Sequence, residues 1–85
     1  MSSIPDFKKK LEEEHSFPSI YMFKFIVPAH KEMEVRAILP SGEISSKASK
    51  KGSYVSVTAS LMMATSDEVI HIYEEAHKIE GLIAL

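Results

Sequence analysis

Eighty-five residues carry 10 Lys and Arg against 12 Asp and Glu, a formal net charge of −2, with 45% hydrophobic and 26% charged residues and no cysteine. That balance is too apolar for a disordered chain, and the length predicts one domain near the lower limit at which a single core suffices without staples. Lack of cysteine removes disulfides, thiolate metal sites and thiol nucleophiles together, which suits a reducing cytoplasm, while the slight acidity excludes general attraction to nucleic acid.

Residues 4–15 read as a short helix. Pro5 fits its first turn and Ile4, Phe7 and Leu11 form one thin apolar stripe, with charges elsewhere. Lys8, Lys9 and Lys10 come early and Glu12, Glu13 and Glu14 late, against the helix dipole, so the helix needs a surface to dock on. This arm is expected to pack loosely on its own domain or on a partner chain. Polar Ser2 and Ser3 and the charged helix stand where a secretion signal needs an apolar core, so export is not expected.

Pro18 disfavours helix at Phe17 and opens an aromatic and branched strand over residues 20–27. Tyr21, Phe23, Phe25 and Val27 fall on one face, expected to meet the helices, and Ile20, Met22, Lys24 and Ile26 on the other. Lys24 must reach water or a carboxylate, so that second face is not a closed core. Broken by Lys24, this run is also far shorter than the roughly 20 apolar residues that span a bilayer.

Pro28 ends the strand, and residues 29–39 predict a helix of about three turns, stopped by Pro40, Ser41 and Gly42. Residues 43–50 alternate weakly and suit an edge strand whose lysines discourage foreign pairing. Lys51, Gly52 and Ser53 then turn it into the organising strand over residues 53–63. Val55, Val57, Ala59, Leu61 and Met63 alternate there with Tyr54, Ser56, Thr58 and Ser60, which predicts a half-buried central strand. Thr65 and Glu68 have capping-box spacing, opening a helix with Val69, Ile72, Tyr73, Ala76 and Ile79 as its buried stripe and Gly81 past its end. Residues 82–85 give a last strand.

The order, a helical arm over residues 1–18 and then βαββαβ over residues 19–85, predicts an α+β ferredoxin-like fold, a four-stranded antiparallel sheet with two helices on one face. Phe17 and Pro18 with residues 21–28, and more strongly residues 46–57 followed by Asp67, Glu68, Val69, Ile70, Tyr73 and Gly81, resemble the small YbeD-like family of uncharacterised bacterial proteins. The resemblance covers residues 17–85. It implies a ferredoxin-like fold similar to ACT regulatory domains, which bind amino acids at domain interfaces, and a link of some members to lipoate metabolism. Two departures stand out: residues 29–39 make a shorter helix than the family's usual one, which tells against a pocket beside it, and Val27, Pro28, Ala29 and His30 lack the glycine of the ACT ligand loop.

No motif for catalysis appears. His15, His30, His71 and His77 include no helical metal-ligand pair, the acidic neighbours Glu32 and Glu34 or Glu74 and Glu75 lie on expected exposed faces, and Ser56, Thr58 and Ser60 lack a nucleophile turn. No cofactor is expected. The one constellation with chemistry is Met22, Lys24, Lys47, Lys50, Lys51 and Tyr54, on or beside the open sheet face. Its bland reading is a lysine-protected edge. Its functional reading is an interaction surface for a second copy or another protein, in a non-enzymatic, ACT-like regulatory domain of the cytoplasm. A small-molecule sensor for an amino acid or small anion at a subunit interface is the alternative. An RNA-binding role is disfavoured, because only Tyr54 offers an exposed aromatic for base stacking.

Overall fold

In the computed structural model, which describes residues 4–85 and, for Ile4, the backbone alone, alternation along two long strands sets the architecture. Ser2 and Ser3, and the side chain of Ile4, lie outside the described residues. The elements are α1 (Ile4–Glu14), β1 (Ser19–Pro28), a 3-10 turn (Ala29–Lys31), α2 (Glu32–Ile38), β2 (Glu43–Ala48), β3 (Tyr54–Met63), α3 (Ser66–Ala76) and β4 (Ile83–Ala84). The sheet order is β2-β3-β1-β4 with every neighbouring pair antiparallel, which is the ferredoxin-like arrangement. β1 and β3 pair along their whole length, from Ser19 opposite Met63 to Pro28 opposite Tyr54.

Phe23, Phe25 and Val27 of β1 meet Val55, Val57, Ala59, Leu61 and Met63 of β3 on the inner face, all buried. Val35 and Leu39 cover them from the α2 side, and Val69, Ile70, Ile72 and Ala76 from α3. Ile70 extends the expected stripe, because a third helix shares the layer and hides a wider arc of α3 than one stripe. That helix is α1. Leu11 is buried in the same core, Lys8 pairs with Asp67 at 3.1 Å, and the Ser66 hydroxyl donates to the Glu12 carboxylate at 2.7 Å. The arm therefore docks on its own domain.

Tyr73 is the meeting point of this layer. Its ring lies 5.6 Å from Phe7 of α1, 5.3 Å from Phe23 and 5.9 Å from Phe25, and its hydroxyl is 3.1 Å from that of Tyr21. Burial, with the Tyr21 hydroxyl second, pushes the Tyr73 phenol well above its ordinary value.

Some boundaries differ from the sequence reading. The 29–39 stretch begins as a 3-10 turn and keeps α geometry only for Glu32–Ile38. β2 stops at Ala48, because the Gly52 N–H reaches back to the Ser49 carbonyl and puts Lys50 and Lys51 in the turn itself, with Gly52 at φ 74°. At α3 the Thr65 hydroxyl accepts from the Glu68 N–H, but Glu68 reaches back to the N–H of Ala64, not Thr65. α3 ends at Ala76, and tight turns carry the chain through buried Ile79 to Gly81 at φ 82°. β4 has only two residues of the four expected.

Candidate functional site

The inner face is spent on the core, which leaves the outer one to meet other molecules. There, cross-strand register builds rows from β1 to β2. Ile20 faces Met62; Met22 faces Ser60, which faces Glu43; Lys24 faces Thr58, which faces Ser45; and Ile26 faces Ser56, which faces Lys47. Ile83 of β4 joins the last row beside Ile26. Among the described residues no helix covers this face: Ile20, Met22 and Met62 are about two-thirds exposed, Leu85 and Ile83 are over half exposed, and Tyr54 is 49% exposed.

The structure divides the predicted site. Lys47, Lys50 and Tyr54 come together with Ile26, Ser49 and Ser56 around a shallow depression of about 370 Å³. The tight turn explains why: the Ser49 hydroxyl accepts from the Tyr54 N–H and the Ser49 N–H donates to the Tyr54 carbonyl, which holds the tyrosine beside the lysines. Lys51 projects from the same turn but does not line the depression. Lys24 stands two residues along β1 from Ile26, in the middle of the face. Met22 is a further two residues away, and four residues of strand span about 13 Å, so it belongs to the apolar end with Ile20 and Met62.

The electrostatics of the two layers are opposite. The strands and the β2–β3 turn hold Lys24, Lys47, Lys50 and Lys51 against Glu43 alone, a balance of three positive charges. The remainder of the chain therefore holds five negative ones, given the net charge of −2. Among the described residues the ion pairs lie in the helical layer: Lys8 with Asp67, Lys31 with Glu34, Arg36 with Glu32 and Lys78 with Glu75. The Ser46 hydroxyl and Arg36 also hold the Glu32 carboxyl below its ordinary value. None of those four pairs involves a lysine of the open face.

Further recesses escape the sequence reading. One of about 640 Å³ lies between the end of α2 and α3, over Ile38, Leu39, Met63 and Ile72 with Asp67, Glu68 and His71 beside them. The shortness of α2 tells against a pocket there in the sequence, yet the recess lies at the end of α2. A second, of about 440 Å³, separates α1 from β1 and is lined by Asp6, Phe7, Lys10, Leu11, Glu14, His15 and Tyr21. Only the docking of α1 creates it, so no local sequence signal could mark it. Among the described residues no group of three histidine or acidic side chains is placed to hold a metal, and no helix is long and apolar enough to cross a membrane.

Comparison with other proteins adds the family. A UPF0250 protein of Shewanella oneidensis is 34% identical over 80 residues, covering 86% of this chain and 91% of the relative. UPF0250 proteins of Shewanella sp. (strain ANA-3) and Shewanella putrefaciens are 34% and 31% identical over the same shares. No solved structure matches the chain significantly. Residues 12–85 match the model of a family described as proteins of unknown function (DUF493), reaching from the second half of α1 through β4. The chain belongs to this family, the small YbeD-like proteins resembled by the stretch around Phe17 and Pro18 and the basic turn.

Proposed function

We propose that this protein is a non-catalytic interaction domain of regulatory type, whose open sheet face docks an acidic protein partner. The observation that carries the reading is the coincidence, on one face, of exposed Ile20, Met22 and Met62 with Lys24, Lys47 and the turn lysines, opposite an acidic helical layer. Exposed apolar surface rimmed by charge of one sign favours a partner of the opposite sign. It disfavours face-to-face pairing of two copies, which would oppose three positive charges to three.

The depression between Lys47, Lys50 and Tyr54 supports a second reading, a small anionic ligand seated against Ile26 and the tyrosine ring.

The test is photo-crosslinking from position 54, with the same group at exposed Glu74 of α3 as control. A discrete protein adduct from position 54 alone, weakened by salt and lost in the Lys47→Glu, Lys50→Glu double variant, supports the interaction domain. Thermal unfolding with amino acids, nucleotides, lipoate-related acids and a short RNA runs beside it. A rise of many degrees with one small compound and no adduct would make the protein a sensor. A midpoint that climbs with protein concentration alone would make it a self-associating module.

A further inference from the structure

β1 is ten residues long, yet β4 pairs with it only at Phe25 and Ile26, and the Leu85 N–H closes the ladder on the Lys24 carbonyl at 2.9 Å. Among the described residues no strand pairs with residues 19–23 on that side. Backbone groups of alternate residues point to the same edge of a strand. Because the Lys24 carbonyl faces β4, the N–H and C=O of Met22 and Ile20 face this open slot. Their side chains, exposed on the outer face, flank it.

Three further features mark the slot. On its helix side, level with Tyr21, lies the 440 Å³ recess beneath α1, bounded by Phe7, Leu11 and His15, with exposed Asp6, Lys10 and Glu14 also lining it. At its far end the Ser19 hydroxyl is buried without a hydrogen-bond partner among the described residues. At its near end stands Lys24, exposed and without a carboxylate in the ion pairs of the fold.

We infer that the outer edge of β1 over residues 19–23 is a strand-addition site, which takes an extended acidic-apolar segment of the partner protein, running antiparallel to β1. Main-chain hydrogen bonds to Ile20 and Met22 give the affinity in this mode, and alternate side chains give the specificity. The segment places one apolar side chain inward under α1, one outward against Ile20, and a carboxylate toward Lys24. A second copy is the poorer occupant, since its own α1, with exposed Glu12, Glu13 and Glu14, would come to the helix side of the same slot. The inference rests on the proposed interaction domain and specifies how that domain engages its partner.

The register of β4 supplies the test. Ile83 opposes Ile26 and Ala84 opposes Phe25, so a five-residue extension after Leu85 is led along residues 23 to 19 in order. The probe is the full chain extended by Thr-Glu-Leu-Ile-Thr, which sets glutamate near Lys24, leucine at the recess, isoleucine beside Ile20 and threonine at the Ser19 hydroxyl. Tethering supplies the segment at a local concentration of order mM, and a filled slot slows amide exchange of Ile20 and Met22 by about tenfold or more. The control carries proline in place of the extension's glutamate, which removes the N–H that the Met22 carbonyl would accept, and it restores fast exchange. Unchanged exchange in the extended chain, or slowing that survives the proline, overturns the inference. Slowing of the same amides in the unextended chain as its concentration rises makes a second copy the occupant and overturns it too. Salt-sensitive crosslinking from position 54 with an unprotected slot sinks only the strand mode. Loss of that crosslink with a protected slot sinks only the docking of the face.

Discussion

The two faces of β3 have the same backbone and the same neighbours in sequence, yet they do different work. Val55, Val57, Ala59, Leu61 and Met63 are buried to 6% exposure or less, whereas Tyr54, Ser56, Thr58, Ser60 and Met62 look outward, half-buried to about two-thirds exposed. Removing atoms from the first set opens a void in a close-packed interior; removing them from the second changes only what the molecule offers to others. Stability and recognition are thus separated by one pleat, and each can be altered with little effect on the other.

Truncation separates the two faces most strongly. Phe25→Ala, at a ring with 0% exposure, is expected to cost about 3–5 kcal/mol, enough to leave so small a domain largely unfolded in a denaturant titration. Thr58→Ala, on the other face of the paired strand, should change stability by less than about 0.5 kcal/mol. A large loss from Thr58→Ala would mean that the outer face is also structural. Backbone terms come next. Gly81→Ala forces an L side chain to φ 82° and brings its Cβ to 2.9 Å from Pro28 Cγ, so a loss of about 1–2 kcal/mol is expected, read as a lowered Tm. Thr65→Ala removes the cap accepting from Glu68 and should cost about 1 kcal/mol, or roughly 4–8 °C in Tm.

One buried group of the inner layer makes stability depend on pH. The Tyr73 phenol is raised in the folded state, first by burial and then by the Tyr21 hydroxyl, so folding favours its protonated form. That contribution is complete below the unfolded pKa near 10 and is lost as pH climbs from there toward the folded value. Tyr73→Phe should therefore flatten the alkaline limb of a stability profile. The smallest effect on stability belongs to Met22→Asp and Lys24→Glu, each within about 0.5 kcal/mol of the parent. Both should nonetheless weaken partner crosslinking from position 54. Parental crosslinking in both would remove the sheet face from the proposed function.

Period two makes the sheet legible in the amino-acid order: Tyr21, Phe23, Phe25 and Val27 against Ile20, Met22, Lys24 and Ile26 assigns each side chain of β1 to its face, and the antiparallel register follows once both long strands are placed. Capping chemistry at Thr65 is equally local. What stays illegible depends on contacts far apart in sequence. Leu11 and Phe7 sit on an acidic and basic helix with a thin stripe, and only Tyr73, 66 residues beyond Phe7, shows which surface they find. Of the candidate site, Lys47, Lys50 and Tyr54 are legible as neighbours because one turn joins them. Met22 shares only their chemistry, and the length of β1 sets it apart. The short β4 is the least visible feature, since residues 82–85 have strand-like composition throughout while only Ile83 and Ala84 form a strand, with one further N–H from Leu85 to the Lys24 carbonyl.

The chain has no tryptophan and three tyrosines, and the fold has distributed them unequally. Tyr21 and Tyr73 share a hydroxyl contact inside the aromatic cluster, while Tyr54 stands among the lysines of the open face. Intrinsic emission is therefore already sorted by location. In the Tyr54→Phe chain, phenol fluorescence follows the integrity of the core alone, and the difference from the parent spectrum reads events at the surface. Folding and recognition can be watched separately in one cuvette, with no label attached.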